Sequence, residues 1–211
     1  MVKKSQKNNS LYDAYRDRLM FPIIDIRKNI IGFGGRTLVD ARAKYINSPE
    51  SLIYYKSNNI YGVNNLQNAA RKNKIILVEG YMDVISLSNY GIDYCVASLG
   101  TSLTNEQAKL ISRYSKNIYI CYDGDNAGIK AAERAMEIFS EINIDPYTVR
   151  IPDGLDPDDY VKKYGKESFD NLLENALNPI LYKYGNLVNS YDLKDIDQKV
   201  EFLEKITVIL S

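Results

Sequence analysis

The run Ile75-Ile76-Leu77-Val78 constrains this chain more than any other segment. It is apolar without interruption and ends on Glu79-Gly80. A second run, Ile118 to Tyr122, ends on Asp123-Gly124-Asp125. Strands of unbroken apolar residues are buried on both faces, which is the habit of a parallel sheet covered by helices. The carboxyl ends of such strands open on a common crevice. Both runs therefore deliver acids to one rim: Glu79 with Asp83 four residues on, and Asp123 with Asp125. Oxygen ligands without His or Cys suit Mg²⁺ or Mn²⁺. The same acids also suit helix N-termini, where the dipole favours negative charge, and the local pattern leaves both uses open.

Composition narrows the chemistry. The chain of 211 residues has no His and two Cys, Cys95 and Cys121, each inside an apolar run. That excludes Ser-His and Cys-His dyads and leaves too few ligands for structural zinc. A general base must be a carboxylate, Lys, Tyr or bound water. Unpaired cysteines suit a reducing compartment, and no secretory signal or run of about 20 apolar residues is present, so a cytoplasmic protein with no membrane contact is expected. Charge is balanced overall but not locally. Residues 1–45 carry ten Lys/Arg against four Asp/Glu, and residues 123–170 carry six against twelve. A basic segment beside an acidic one suits a polyanion on one surface and cations on another, although ordinary solvated faces would look the same.

Three segments follow from the periodicities. Residues 1–73 read as a basic α+β unit. Residues 1–10 are expected to be disordered or a helix stub. Phe21–Ile26 and Ile30–Arg36 form two strands around the turn Arg27-Lys28-Asn29, Tyr45–Pro49 a turn, and Asn64–Asn73 a helix. Residues 74–164 alternate strand and helix, with strands at 75–78, 94–97, 118–122 and 147–151. A helix at 81–89 stops at Gly91. Thr104 and Gln107 form a capping box for the next helix, to about Tyr114. After Gly128, Ile129, Ala132, Met136 and Phe139 share one helical stripe. Asp156 caps a helix whose first turn holds Pro157. Residues 165–211 read as helical, broken at Asn178-Pro179, and end without a stop signal, as in a segment of a longer chain. The expected fold is α/β: a central, mostly parallel sheet flanked by helices, with an N-terminal α+β subdomain and a C-terminal helical segment.

Two further motifs carry chemistry. Asp153, Asp156, Asp158 and Asp159 crowd seven residues, and such repulsion wants cations or a helix dipole. Phe33-Gly34-Gly35-Arg36 and Lys44-Tyr45-Ile46-Asn47-Ser48-Pro49 combine glycines, which let a backbone approach phosphate, with cations that pair with it. Gly-Gly in a hairpin is also common for conformational reasons alone. The eighteen Tyr suit base stacking or simply a Tyr-rich core.

Taken in order, Met20-Phe21-Pro22-Ile23, Gly32–Arg36, Lys44–Glu50, Val78–Asp83, Ser98-Leu99-Gly100-Thr101, Tyr122–Gly128 and Asp156-Pro157-Asp158 closely resemble the RNA-polymerase domain of bacterial replicative primases of the DnaG type. The resemblance covers roughly residues 11–177. Its glutamate and Asp-x-Asp part is the Toprim module, shared with topoisomerases and some nucleases; the Gly-Gly-Arg and Lys-Tyr-x-Asn-Ser-Pro motifs single out primase. It implies synthesis of RNA primers from NTPs on a single-stranded DNA template. It implies that Glu79, Asp123 and Asp125 are the principal acids holding two or more Mg²⁺ or Mn²⁺ ions, with Asp156 and Asp158 a second pair and Asp83 a supporting acid. It further implies that Arg36, Lys44, Asn47 and Lys56 line a groove for nucleotide and DNA, which Arg16 and Arg18 extend. Ala43 departs from the family, which often carries Pro there. The family's zinc module and its domain for the replicative helicase are not in the chain, so weak initiation without site choice is expected. The acids alone would also permit another Toprim enzyme, such as a metal-dependent nuclease. The charge asymmetry alone would permit a passive nucleotide- or DNA-binding module.

Overall fold

The computed structural model describes residues 2–5, 8–39, 43–100 and 102–210. Thr101 of the Ser98–Thr101 motif lies outside them. The strands are β1 (Val2–Lys4), β2 (Leu11–Asp13), β3 (Arg18–Ile24), β4 (Ile30–Thr37), β5 (Tyr45–Asn47), β6 (Ile75–Val78), β7 (Cys95–Ala97), β8 (Ile118–Ile120) and β9 (Tyr147–Thr148). The α-helices are α1 (Leu66–Lys72), α2 (Tyr81–Asn89), α3 (Asn105–Ser112), α4 (Asn126–Ser140), α5 (Pro157–Glu174), α6 (Pro179–Asn189) and α7 (Ile196–Leu210).

The central sheet is wholly parallel, in the order β7-β6-β8-β9. Its middle strand earns that place by composition, since Ile75, Ile76, Leu77 and Val78 are all 0% exposed. The chain leaves β6 toward β7, then returns past it to β8. Right-handed crossovers in opposite directions put helices on both faces, and the packing agrees: α2 meets α5, and α3 meets α4. The reversal creates a switch point between β6 and β8, where ligands bind in open α/β sheets. The two strands that end in acids are the two that meet there. The helical stripe Ala132, Met136 and Phe139 is buried, and Ile129 is half-buried at its edge.

The N-terminal unit is an antiparallel sheet in the order β3-β4-β5. Its hairpin turns where Asp25 Oδ1 accepts from the Arg27 and Asn29 N–H groups at 2.9 and 2.8 Å, with Lys28 at φ 68°. Two expectations fail here. Residues 2–4 are neither disordered nor helical; they form β1, paired antiparallel with β2. Residues 45–47 are not a turn but β5, paired with β4. Both strands have three residues, too few for alternation to register, and both exist because a partner strand offers an open edge. In the helical segment, α5 carries a break at Gly165 (φ 78°, ψ 178°).

Polar contacts join the N-terminal unit to the parallel sheet and its helices. Tyr61 and Ala97 exchange backbone hydrogen bonds of 2.8 and 3.0 Å on the outer edge of β7. Gln107, wholly buried, completes the α3 capping box with Thr104 and also donates through Nε2 to the Lys56 and Asn59 carbonyls at 2.8 and 2.7 Å. Thr104 Oγ1 donates to the Ser57 carbonyl at 2.6 Å. Replacing Gln107 by Ala leaves the Asn59 carbonyl and the Thr104 N–H without these partners and opens a void. A loss of about 2 kcal/mol in urea unfolding is expected. An unchanged urea midpoint would show that this joint contributes nothing.

Candidate active site

Each acid reaches the crevice by a local device. Glu79 follows β6 directly, and its Oε1 accepts from the Asp123 N–H at 3.3 Å, across the switch point. Asp83 sits in the first turn of α2, where Oδ2 accepts from the Gly80 N–H at 2.9 Å. Asp125 caps α4: Oδ1 accepts from the Ala127 and Gly128 N–H groups at 2.9 and 2.8 Å. Asp156 caps α5, accepting from the Asp159 N–H at 2.6 Å. Asp158 Oδ2 meets Lys162 Nζ at 2.6 Å, while its buried Oδ1 has no partner among the described residues.

Crowding perturbs these groups. Burial, partly offset by the Gly80 N–H, raises Asp83 to about 7, with the charges of Asp156, Asp123 and Asp158 adding to it. Asp123 rises to about 6, through burial first and then through Glu79, Asp156 and Asp125, with Lys44 opposing. Glu79 is also raised, mainly by burial. Three acids raised by burial and by neighbouring charge, beside an orphaned buried oxygen on Asp158, form a donor set suited to a hard divalent cation. Among the described residues, the group whose oxygens lie within 4.8 Å of one another is Asp156, Asp158 and Asp159. The expected trio is not so compact: Glu79 lies beside the Asp123 backbone, while Asp125 is exposed and commits one oxygen to a helix cap. Asp159 was not singled out as a ligand by the sequence.

Basic residues share the site. A cavity of about 640 Å³ is lined both by the acids Glu79, Asp83, Asp123, Asp156 and Asp158 of the parallel-sheet unit and by the cations Lys3, Arg36, Lys44 and Lys56 of the N-terminal unit. Tyr45 lies between two of these cations, its ring centroid 5.8 Å from Arg36 Cζ and 6.0 Å from Lys44 Nζ. Asn47 also lines the cavity, but its amide is committed: Nδ2 donates to the Leu99 carbonyl at 2.9 Å, and Oδ1 accepts from the Tyr81 hydroxyl. Arg18 and Arg16 stand apart from these walls. Arg18 donates to the Gly35, Lys44 and Ala43 carbonyls, an internal clamp, and Arg16 lies over the Tyr12 ring at 5.2 Å. Lys3 escaped the sequence reading because it belongs to the unread strand β1; its only signal was positive charge.

The glycines of both motifs are packing devices. A Cβ on Gly34 would lie 2.9 Å from the Tyr81 ring, and one on Gly35 2.9 Å from Tyr15. A Cβ on Gly128 would lie 2.1 Å from the Asp123 carbonyl oxygen, so only glycine lets α4 start against the acid loop.

A doubly wound parallel sheet with acids at its switch point, faced by a basic α+β unit, defines a Toprim-type catalytic core. The comparisons agree. Residues 76–161 match the Toprim-like family, and residues 1–67 match the N-terminal domain of the DNA primase catalytic core. The DNA primase of Clostridium acetobutylicum is 45% identical over 98% of this chain and 35% of its own length. The Escherichia coli K12 primase is 45% identical over 88% of this chain and 33% of its own. A DnaG primase catalytic domain solved with single-stranded DNA superposes with a TM-score of 0.84 and 39% identity, over 99% of this chain and 68% of that one. The chain belongs to the family of DnaG-type bacterial DNA primase catalytic cores. It spans about a third of the length of the curated relatives it matches. No helix among the described residues is long and apolar enough to cross a membrane.

The raised acids set a pH dependence. Asp83 and Asp123 have folded pKa values above their ordinary 3.8, so their contribution to stability is complete below about pH 4 and is lost as pH rises toward 7. A bound divalent cation requires the ionised forms and displaces protons. The gain in Tm from saturating Mg²⁺ or Mn²⁺ is therefore expected to be larger at about pH 7.5 than at about pH 5.5, with protons released on binding. Equal gains at both pH values, by scanning fluorimetry, would remove these acids from the cation site.

Proposed function

We propose that this chain synthesises short RNA primers from NTPs on single-stranded DNA, as part of chromosome replication in the cytoplasm. One observation carries the reading: acids and basic residues line a single cavity, in a chain of the primase family. The division into residues 1–73, 74–164 and 165–211 is part of the proposal, with the first unit holding nucleic acid and the second holding cations.

The residues divide the work by charge. Glu79, Asp123, Asp156 and Asp158, with Asp125 and Asp159 beside them, would hold two or more Mg²⁺ or Mn²⁺ ions. Such ions activate a 3′-hydroxyl and neutralise a triphosphate. Asp83 supports them from α2. Arg36, Lys44 and Lys56, with Lys3, hold phosphates in register without reading bases. Asn47, fixed by Leu99 and Tyr81, keeps that wall at a set distance from the acids. The replicative helicase would be engaged by another part of the full-length protein.

The activity is expected on single-stranded DNA with NTPs and Mg²⁺ or Mn²⁺. Asp123→Ala should lower it by at least about 100-fold, the scale of losing one charge-stabilising group. Equal synthesis by both proteins would exclude Asp123 from the chemistry. Arg36→Ala should weaken DNA binding uniformly across sequences and reduce the salt slope by about one. An unchanged slope would take Arg36 off the DNA path.

A further inference from the structure

The amino end of the parallel sheet carries a cluster of its own. Lys74 precedes β6 directly and Lys116 precedes β8 by two residues, whereas the acids follow those strands, so the two sets lie at opposite ends of the sheet. Hydrogen bonds hold the two strand entries together. The Ile75 N–H donates to the Asn117 carbonyl at 3.0 Å, and Asn117 Nδ2 donates to the Asn73 carbonyl at 3.0 Å. At a strand's rise per residue, the run from Lys74 to Glu79 separates this end from the acids by roughly 15 Å.

Rings sit among the cations. Lys74 Nζ lies 5.0 Å from the Tyr119 ring centroid, and Lys72 Nζ lies 5.3 Å from that of Tyr94. Tyr119 pairs with Tyr147 in the β8–β9 register, and their rings stack with centroids 5.3 Å apart and 23° between planes. The rings are graded in exposure: Tyr94 is buried, Tyr119 half-buried and Tyr147 40% exposed. Strand β9 is the last of the sheet, and Tyr147 stays open although Leu177 bridges Thr148 beside it. Lys72 and Lys116 are exposed, and none of the three lysines pairs with a carboxylate among the described residues. Asp170, whose charge reaches Tyr94, is itself paired with Lys166.

Cations without acidic partners attract a polyanion. A part-exposed ring at the end of an aromatic stack offers its face to any base, whatever the sequence. A duplex keeps its bases stacked inside and must extrude one to present it, so ring and cations together select a single strand. We propose that the amino end of the sheet is a second contact for single-stranded nucleic acid, apart from the cavity lined by the acids. A base stacks on Tyr147, and Lys72, Lys74 and Lys116 hold the flanking phosphates. The inference extends the primer-synthesis reading, because it gives the template a hold that does not touch the chemistry.

Affinity for a labelled single strand and for its duplex is measured by fluorescence anisotropy over a salt series, and primer extension is followed on the same template. Tyr147→Ala should weaken single-strand binding at least about fivefold, the lower end for one stacked base, and leave duplex affinity unchanged. Tyr147→Phe, which keeps the ring, should bind as wild type does. Lys72→Ala combined with Lys116→Ala should reduce the single-strand salt slope by about 1.4, at about 0.7 for each phosphate contact. Extension at saturating template should keep the wild-type rate in all these variants. The exposed lysines carry the test should Tyr147→Ala unfold. Unchanged single-strand affinity in Tyr147→Ala, an equal loss in Tyr147→Phe or on the duplex, or an unchanged slope in the lysine pair overturns this surface. If wild type then still extends primers, and Arg36→Ala still weakens binding, primer synthesis stands without it. A wild type that neither binds single strands nor extends primers overturns the two readings together.

Discussion

Like charge, held close and partly dry, is the constraint on which this structure turns. Glu79, Asp83, Asp123, Asp156 and Asp158 border one cavity, and the first three are pushed up in pKa by burial and by neighbouring acids. Left alone, such a cluster would splay or stay protonated. The fold restrains it with backbone dipoles. Asp83, Asp125 and Asp156 each accept N–H groups in the first turn of a helix, and Glu79 accepts one from the end of the neighbouring strand. Three helix starts and a switch point converge on one place, which parallel topology supplies without added structure. The remaining repulsion is what a divalent cation relieves, so the site's instability and its capacity to bind metal have one origin.

The restraint works only if backbone segments approach closely. Gly128 is the clearest case, because any side chain there would occupy the Asp123 carbonyl. Gly34 plays the corresponding part on the basic side. It lets β4 rest on the Tyr81 ring, and Tyr81 begins α2, the helix that carries Asp83. Tyr81 then reaches Asn47, and Asn47 reaches the Leu99 carbonyl. A continuous path thus runs from the basic residues, through a ring and an amide, to the acids.

Most of the α/β unit was legible in the sequence, because its signals are strong and local. The bounds of β6 and α2, the Thr104–Gln107 capping box and the Asp156-Pro157 helix start are all where the residues put them. Strands β1 and β5 were not legible, since their identity depends on partners elsewhere in the chain, and Lys3 was lost with β1. The sequence placed the acids at strand ends and helix starts, but not which of them serve as caps. Sequence cannot tell a ligand from a cap when both need a carboxylate at a strand end, and Asp125 is at least partly a cap. The glycines of Phe33–Arg36 were read as room for phosphate; the atoms nearest to them belong to Tyr81, Tyr15, Arg18 and Met20.

The two walls come from different parts of the chain, and this has an energetic consequence. Lys44 acts against the rise in the Asp123 pKa, so the N-terminal unit tunes an acid of the other unit. That tuning depends on the distance between them, which is set by Asn47 at one end of the cavity and by Gln107, holding the Lys56 carbonyl, near the other. Neither amide carries charge, so neither draws attention in a search for catalytic residues. A change at either would move a whole wall of cations relative to the acids and reach the site through geometry. Buried amides that bridge two units are therefore as much a part of the charge arrangement as the ionised groups themselves.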